Sequence, residues 1–345
     1  MPIFGRMIAA GTQEAFRVPV GELNDGTELT VPVIVIRGER EGPVVLLSGA
    51  VHGDEYLGPI AIQQLMATTK HEEIAGTLIG IPIMGPLAFL SRSRASQLDY
   101  EHFNLNRLWP GDHTAFLTQR IARLVFEQVV RQADYVLDYH EGGVALMARY
   151  LLLGGSEATI KRVGQRQLEL ARWFGMGIPI AYRQTTDDAV RVGKLGNLTE
   201  AVGQIGIPAI SVEIGGGGMY RPELLDIVIA GTRRVLQGVG LLPGGRPELD
   251  PSQVVVRETT WLRPARGGFV LPTSDAVLGA RISKGTVIAR VVEPLGEVVD
   301  ELVAPHDGVI LDVRILASVY PGDWAYHLAK LNGPDQGTYQ PGART

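Results

Sequence analysis

Three residues in this chain have the types and placement that metal chemistry requires. His52 and Glu55 stand three apart in His52-Gly-Asp-Glu55, directly after the apolar run Pro43 to Ala50. On a tight turn or a first helical turn, side chains three apart face one point. An imidazole and a carboxylate are both good zinc ligands. His140 ends a second apolar run, Tyr135 to His140, and offers a third donor. Three protein ligands leave one coordination position for water, the arrangement of a catalytic metal site rather than a structural one. Asp138, two residues before His140, shares its face of a strand and can orient the imidazole. Taken alone, an HxxE pair is a weak signal: helices carry such pairs by chance, and a histidine at a strand end is ordinarily just hydrogen-bonded.

Glu213 interrupts the apolar stretch Ile210 to Ile214 just before four glycines, Gly215 to Gly218. A carboxylate in a buried strand is costly unless it is paired or near a metal, and burial raises its pKa toward the range of a general base. The competing reading is an edge strand with Glu213 facing water. The glycines are no phosphate loop, because no GxxxxGK[ST] pattern and no lysine follow; they let backbone approach a ligand. Asn104-Leu-Asn106-Arg107 offers a fork of donors suited to a carboxylate, and Arg92 and Arg94 precede it. Each arginine, taken singly, equally fits a solvated surface position.

The elements that must position these residues follow from hydropathy. The first forty residues read as one or two β-hairpins, with the turn in NDGTELTVPVIVIRG. Pro43–Ala50 reads as a strand buried on both faces, Ile60–Met66 as helix, Thr77–Met84 as strand, and Ala115–Ala133 as an amphipathic helix. Strands at Tyr135–His140, around Leu151–Leu153 and in AISVEIG alternate with helices at about Ala158–Phe174, Leu195–Ile205 and Arg221–Val239. Such alternation predicts an α/β catalytic domain with a mostly parallel or mixed sheet. The irregular stretch from Gly85 to Gly111 is too long for an idle connection, and such loops are ordinarily functional or disordered. The expected division is a catalytic domain at 1–240, a Pro/Gly-rich linker at 241–253, a small all-β domain at 254–332 and a tail at 333–345.

Composition narrows the function. With 345 residues, the chain can build about two domains. A net charge of -5 and no Lys/Arg block argue against a nucleic-acid partner. The absence of cysteine removes disulfides, thiolate metal sites and cysteine nucleophiles together, so any metal must use His, Asp or Glu. No leader and no run of about 18 apolar residues are evident, so the expectation is a cytoplasmic protein with no membrane partner. A homo-oligomer would fit the common case for such enzymes.

In this order, HGDE, FNLNRLWPG, DYHEGG and VEIGGGG resemble the succinylglutamate desuccinylase/aspartoacylase family, over roughly residues 40 to 330. The resemblance implies a zinc-carboxypeptidase-like, three-layer catalytic domain with a mixed sheet. It implies one zinc ion per chain, held by His52, Glu55 and His140. It implies hydrolysis of the amide bond of a small N-acylated amino acid, N-acetyl or N-succinyl in type. By the same resemblance Glu213 is the general base, and Asn106 and Arg107 bind a substrate carboxylate. Arg94 polarises the scissile carbonyl, with Arg92 as the alternative, and Tyr320 from the β domain enters the site. A further substrate arginine of the family is replaced by Gly203, which weighs against a succinyl or aspartyl group; Arg191 is a substitute. Two other readings stay open, a peptide carboxypeptidase and a non-catalytic binding protein. The β domain is similar to biotinyl/lipoyl-type barrel-sandwich carriers, but Lys284 lacks the flanking residues of a carrier lysine.

Overall fold

Apolar strands that alternate with amphipathic helices bury themselves most completely as one sheet covered on both faces. The computed structural model describes residues 1–182, 196–250 and 253–331. In chain order, the catalytic part holds β1 (Thr12–Glu22), β2 (Glu28–Arg37), β3 (Arg40–Ser48), α1 (Leu57–Thr68), β4 (Ala75–Ile81), α2 (Pro86–Ser91) and α3 (Leu117–Gln128). It continues with β5 (Tyr135–His140), β6 (Leu146–Leu153), α4 (Glu157–Phe174), β7 (Ile180–Tyr182), α5 (Leu198–Gln204), β8 (Ala209–Gly216) and α6 (Pro222–Gly238). The C-terminal part holds β9 (Val255–Val256), β10 (Thr259–Leu262), β11 (Gly268–Pro272), β12 (Arg281–Ile282), β13 (Val287–Val292), β14 (Val298–Val303), β15 (Gly308–Arg314), β16 (Ser318–Val319) and β17 (Tyr326–Lys330).

The centre of the large sheet is parallel: β3 pairs with β4 and β5, and β5 with β8. Antiparallel β2 and β6 flank it, so the sheet is mixed. Strand alternation sorts its residues. Leu47, Leu137, Tyr139, Ile210 and Val212 turn to one face and pack with α1, α4 and α6. Leu46, Val136 and Ala209 turn to the other and pack with α3 and α5. The three layers expected from the sequence are therefore present.

Two local readings change. The Gly85–Gly111 stretch is not wholly irregular: it contains α2 and a 3-10 turn at Leu105–Arg107. The predicted helix over Ala115–Ala133 runs only from Leu117 to Gln128, then gives way to a 3-10 turn at Val130–Gln132.

The C-terminal strands have a core of their own, with Ile288, Val291, Leu302 and Tyr326 among its buried residues. They are nevertheless joined to the catalytic part by backbone pairing. Strand β15 pairs with β6, so β17 and β10 extend the catalytic sheet itself, and β9 pairs with β7. The segment expected as a linker lies against the catalytic part: the Ala75 N–H donates to the Leu241 carbonyl at 2.9 Å, and the Gly177 N–H to Asp250 at 2.7 Å. Lys284 sits exposed in a tight turn, its backbone N–H donating to Asp307 at 2.8 Å.

The turn after β3 is shaped by close backbone approach. Ala50 adopts a positive φ of 44°. Gly53 lies so near the Ala88 carbonyl of α2 that a Cβ there would collide with backbone. Gly53→Ala is therefore expected to cost about 1–3 kcal/mol, since overpacking against rigid backbone is not relieved by a side-chain shift. Denaturant unfolding of the variant beside the parent protein measures this, and equal midpoints would contradict it.

Candidate metal centre and active site

Register places the chemistry on one face of the sheet. Ser48, Asp138 and Ser211 are cross-strand neighbours on β3, β5 and β8. Two residues further on, His140 stands opposite Glu213. Opposed residues project to the same face, with Cβ atoms about 4.5–5.5 Å apart. The carboxyl ends of these parallel strands thus converge, as open α/β sheets require of a ligand site. The turn carrying His52 and Glu55 leaves the end of β3 at the same edge.

The three predicted ligands meet. One donor atom each from His52, Glu55 and His140 lies within 4.8 Å of the others, and all three residues are buried. Glu55 sits between the imidazoles, Oε1 at 2.7 Å from His52 Nδ1 and Oε2 at 3.0 Å from His140 Nδ1. On its other side His140 Nε2 is 3.0 Å from Asp138 Oδ2. A neutral imidazole has one N–H, so it cannot donate to carboxylates on both nitrogens. His140 therefore carries a second proton or offers Nδ1 to a cation while Nε2–H stays on Asp138. That arrangement, with no thiolate nearby, fits a divalent ion.

Electrostatics separates the two histidines. Burial pushes His52 down to about 4, against the pull of Glu55. Burial also lowers His140, but Asp138 and Glu55 overcome it and hold the group well above its ordinary value. Burial raises Glu55, yet the two imidazoles and their hydrogen bonds draw it below the usual carboxylate range.

Around this cluster, Arg94 Nη1 lies 3.4 Å from both His52 Nδ1 and Glu55 Oε1. Arg92 is exposed and caps α2 in the left-handed conformation. Of the two candidate arginines, Arg94 is the one at the cluster. Asn106 is buried in its 3-10 turn, with Nδ2 3.5 Å from His140 Nε2. Among the described residues its Oδ1 has no hydrogen-bond partner. Arg107 donates to the Asn106 carbonyl at 2.7 Å. Glu213 is half-buried and accepts from the Ser211 hydroxyl at 2.9 Å. Tyr320 is 80 % exposed on the turn after β16, where its backbone N–H donates to the Asp323 carboxylate and its carbonyl accepts from the Asp323 N–H. Arg191 lies outside the described residues.

Two buried acids beside the cluster escaped the sequence reading. Glu141 accepts from the Leu57 N–H and so supplies the cap that the N-terminus of α1 lacks within its own chain segment. Burial pushes Glu141 up to about 8. Its Cβ-less neighbour Gly215 leaves the space the carboxylate occupies. Asp54 accepts from the Val144 N–H at 3.2 Å. The signal was present in the sequence, since Asp54 and Glu141 each adjoin a ligand, but nothing in their spacing distinguishes a helix cap from a ligand. The glycine run after Glu213 is explained here too: the Gly142 N–H donates to the Gly215 carbonyl and the Gly217 N–H to the Gly143 carbonyl, locking the two glycine-rich turns together.

A mixed α/β sheet with a buried His-Glu-His cluster at its carboxyl edge has the build of an α/β enzyme, and comparison with known proteins makes the class specific. The profile of the succinylglutamate desuccinylase/aspartoacylase catalytic domain matches residues 41–239. The chain is 32% identical over 336 residues to the N-alpha-acetyl-L-2,4-diaminobutyric acid deacetylase of Halomonas elongata, covering 94% of this chain and 93% of that protein. A succinylglutamate desuccinylase structure from Silicibacter sp. TM1040 superposes with a TM-score of 0.80 at 28% identity, covering 93% of this chain and 95% of that one. The product-bound ectoine utilization protein EutE (DoeB) of Ruegeria pomeroyi gives a TM-score of 0.79 at 27% identity, covering 94% and 98%. The chain belongs to the succinylglutamate desuccinylase/aspartoacylase family, a family of deacylases.

Two results are expected from metal titration. Binding a divalent ion near neutral pH should release about one proton, because His140 holds its proton there and His52 does not; calorimetry in buffers of different ionisation enthalpy counts it. Asp138→Asn should weaken metal affinity about 10- to 100-fold, since it removes the anion that orients His140; an unchanged dissociation constant would contradict this.

Proposed function

We propose that the protein is a zinc-dependent deacylase that hydrolyses the amide bond of a small N-acylated amino acid. The observation that carries the reading is the meeting of His52, Glu55 and His140 with Glu213 as the cross-strand neighbour of His140. Two imidazoles and one carboxylate make a three-ligand set with an open position. Bound there, zinc would supply Lewis acidity toward the scissile carbonyl and bring water into the range where it ionises near neutral pH.

The chain's own residues divide the remaining work. Glu213 takes the proton of the attacking water and returns it to the leaving nitrogen. Arg94, beside Glu55, donates to the carbonyl oxygen as it gains charge. Asn106 and Arg107 hold the carboxylate of the amino acid moiety, the guanidinium fork matching its two oxygens. Tyr320 keeps the role the family resemblance implies only as a proposal, for its exposed ring brings no geometric support. The identity to the Halomonas deacetylase favours N-alpha-acetyl-L-2,4-diaminobutyric acid as substrate, and Gly203, where other members place an arginine, favours acetyl over an acidic acyl group. We also place the enzyme in the cytoplasm; among the described residues no helix is long and apolar enough to cross a membrane.

A panel of N-acetyl, N-succinyl and N-aspartyl-type substrates, with short C-terminal peptides beside them, tests the reading by amine release. Release from N-acetyl amino acids that stops on chelation and returns with zinc is expected; ladder-like shortening of peptides would replace the reading with a carboxypeptidase. Glu213→Gln should keep its metal while kcat falls by about 10²–10⁴. Near-normal turnover in that variant would remove Glu213 from the base role.

A further inference from the structure

The face that carries the metal cluster continues without a break into the C-terminal strands. Glu213 on β8 has His140 opposite it on one side and Tyr150 of β6 on the other. Across β6 and β15, Ala148 stands opposite Asp312, and Asp312 in turn stands opposite His327 of β17. His327 stands opposite Trp261 of β10. Opposed residues share a face, so His140, Glu213, Tyr150, Asp312, His327 and Trp261 form one lateral row. The small Ala148 leaves Tyr150 room to lean diagonally toward Asp312, and diagonal neighbours of long side chains do meet.

The row is bonded as well as aligned. Asp312 accepts from His327 Nδ1 at 3.0 Å and from the Tyr150 hydroxyl. The His327 ring is fixed by Trp261, stacked at 4.2 Å with 1° between planes, and by Tyr150 edge-on at 5.4 Å. Tyr150, Asp312 and His327 are all buried. A buried carboxylate costs several kcal/mol unless it is well satisfied (of order 2–7 for a polar group that finds no partner), and an apolar contact would join the two parts as firmly. The pair instead fixes the orientation of one phenol.

We propose that Asp312 and His327 are positioning residues for catalysis, acting through Tyr150 to keep the Glu213 carboxylate turned toward the metal site. This rests on Glu213 being the base, as proposed above. On a sheet face, a glutamate's direction is set by its own strand and by its neighbours on either side. The His140 side is occupied by the metal cluster, and Ser211 holds one oxygen. A phenol anchored by its hydroxyl to Asp312 is held toward β15, clear of Glu213 on β8. Freed from Asp312, the ring turns toward β8, crowds Glu213, and the carboxylate spends less time within reach of the reacting water.

The test uses the zinc-loaded full chain. Tyr150→Phe keeps the ring and removes the hydroxyl that bonds Asp312. It is expected to lower kcat about 10- to 100-fold, the scale of a small misplacement in an active site, with KM within twofold and metal content unchanged. Asp312→Asn, which retains an acceptor, should lose less than Asp312→Ala. Because the residues act in series, Tyr150→Phe combined with Asp312→Ala should be no slower than the slower single variant. Wild-type kcat in Tyr150→Phe, losses confined to KM, losses that track lost metal, or effects that multiply in the double variant would each overturn the proposal. Glu213→Gln, assayed alongside, separates the two claims. If it turns over normally, the base assignment falls and the positioning role with it. If it is inactive while Tyr150→Phe is unaffected, only the positioning role falls.

Discussion

One carboxylate holds the site together. Glu55 presents its two oxygens to two imidazoles, one on its own turn after β3 and one at the end of β5, at 2.7 and 3.0 Å, in a place where all three side chains are buried. A negative charge in such surroundings persists only against positive charge, whether of a proton or a metal. The requirement runs outward. His140 must be turned by Asp138, Asp138 must stand on the parallel strand beside β3, and the turn after β3 must bring His52 and Glu55 back over that strand. The parallel register of β3 and β5 meets these requirements together, and β8 adds Glu213 beside His140.

Much of this is written in residue type. Uninterrupted apolar strands announce burial on both faces, and β3, β5 and β8 follow suit. A charged residue that ends such a strand has few reasons to be there, which is why His140 and Glu213 stand out from the sequence. What the sequence could not separate were residues alike in type and differing only in where backbone carries them. Arg92 and Arg94 are two residues apart, yet one caps a helix and the other reaches Glu55. Glu141 and Asp54 look like extra ligands and instead accept from backbone N–H groups. Helix α2 and the 3-10 turn at Leu105–Arg107 carry too few periodic residues to announce themselves.

The C-terminal strands illustrate the same limit at larger scale. Short runs between Gly and Pro turns predict β structure, and their own core is real. Pairing between β15 and β6 is a long-range event with no local signature, because either strand would read the same if it faced solvent. Only the register reveals that two cores share one sheet, and that side chains from the last quarter of the chain stand in line with those of the His-Glu-His cluster.

The contact between Gly53 and α2 has a consequence for how errors propagate. The Gly53 N–H donates to the Ser93 carbonyl at 2.9 Å, and Ser93 immediately precedes Arg94. One backbone link therefore ties the loop that bears His52 and Glu55 to the loop that bears the arginine beside them. A shift in either loop carries the other along, so the spacing between His52 and Arg94 is referenced to a shared origin rather than to two separate parts of the scaffold.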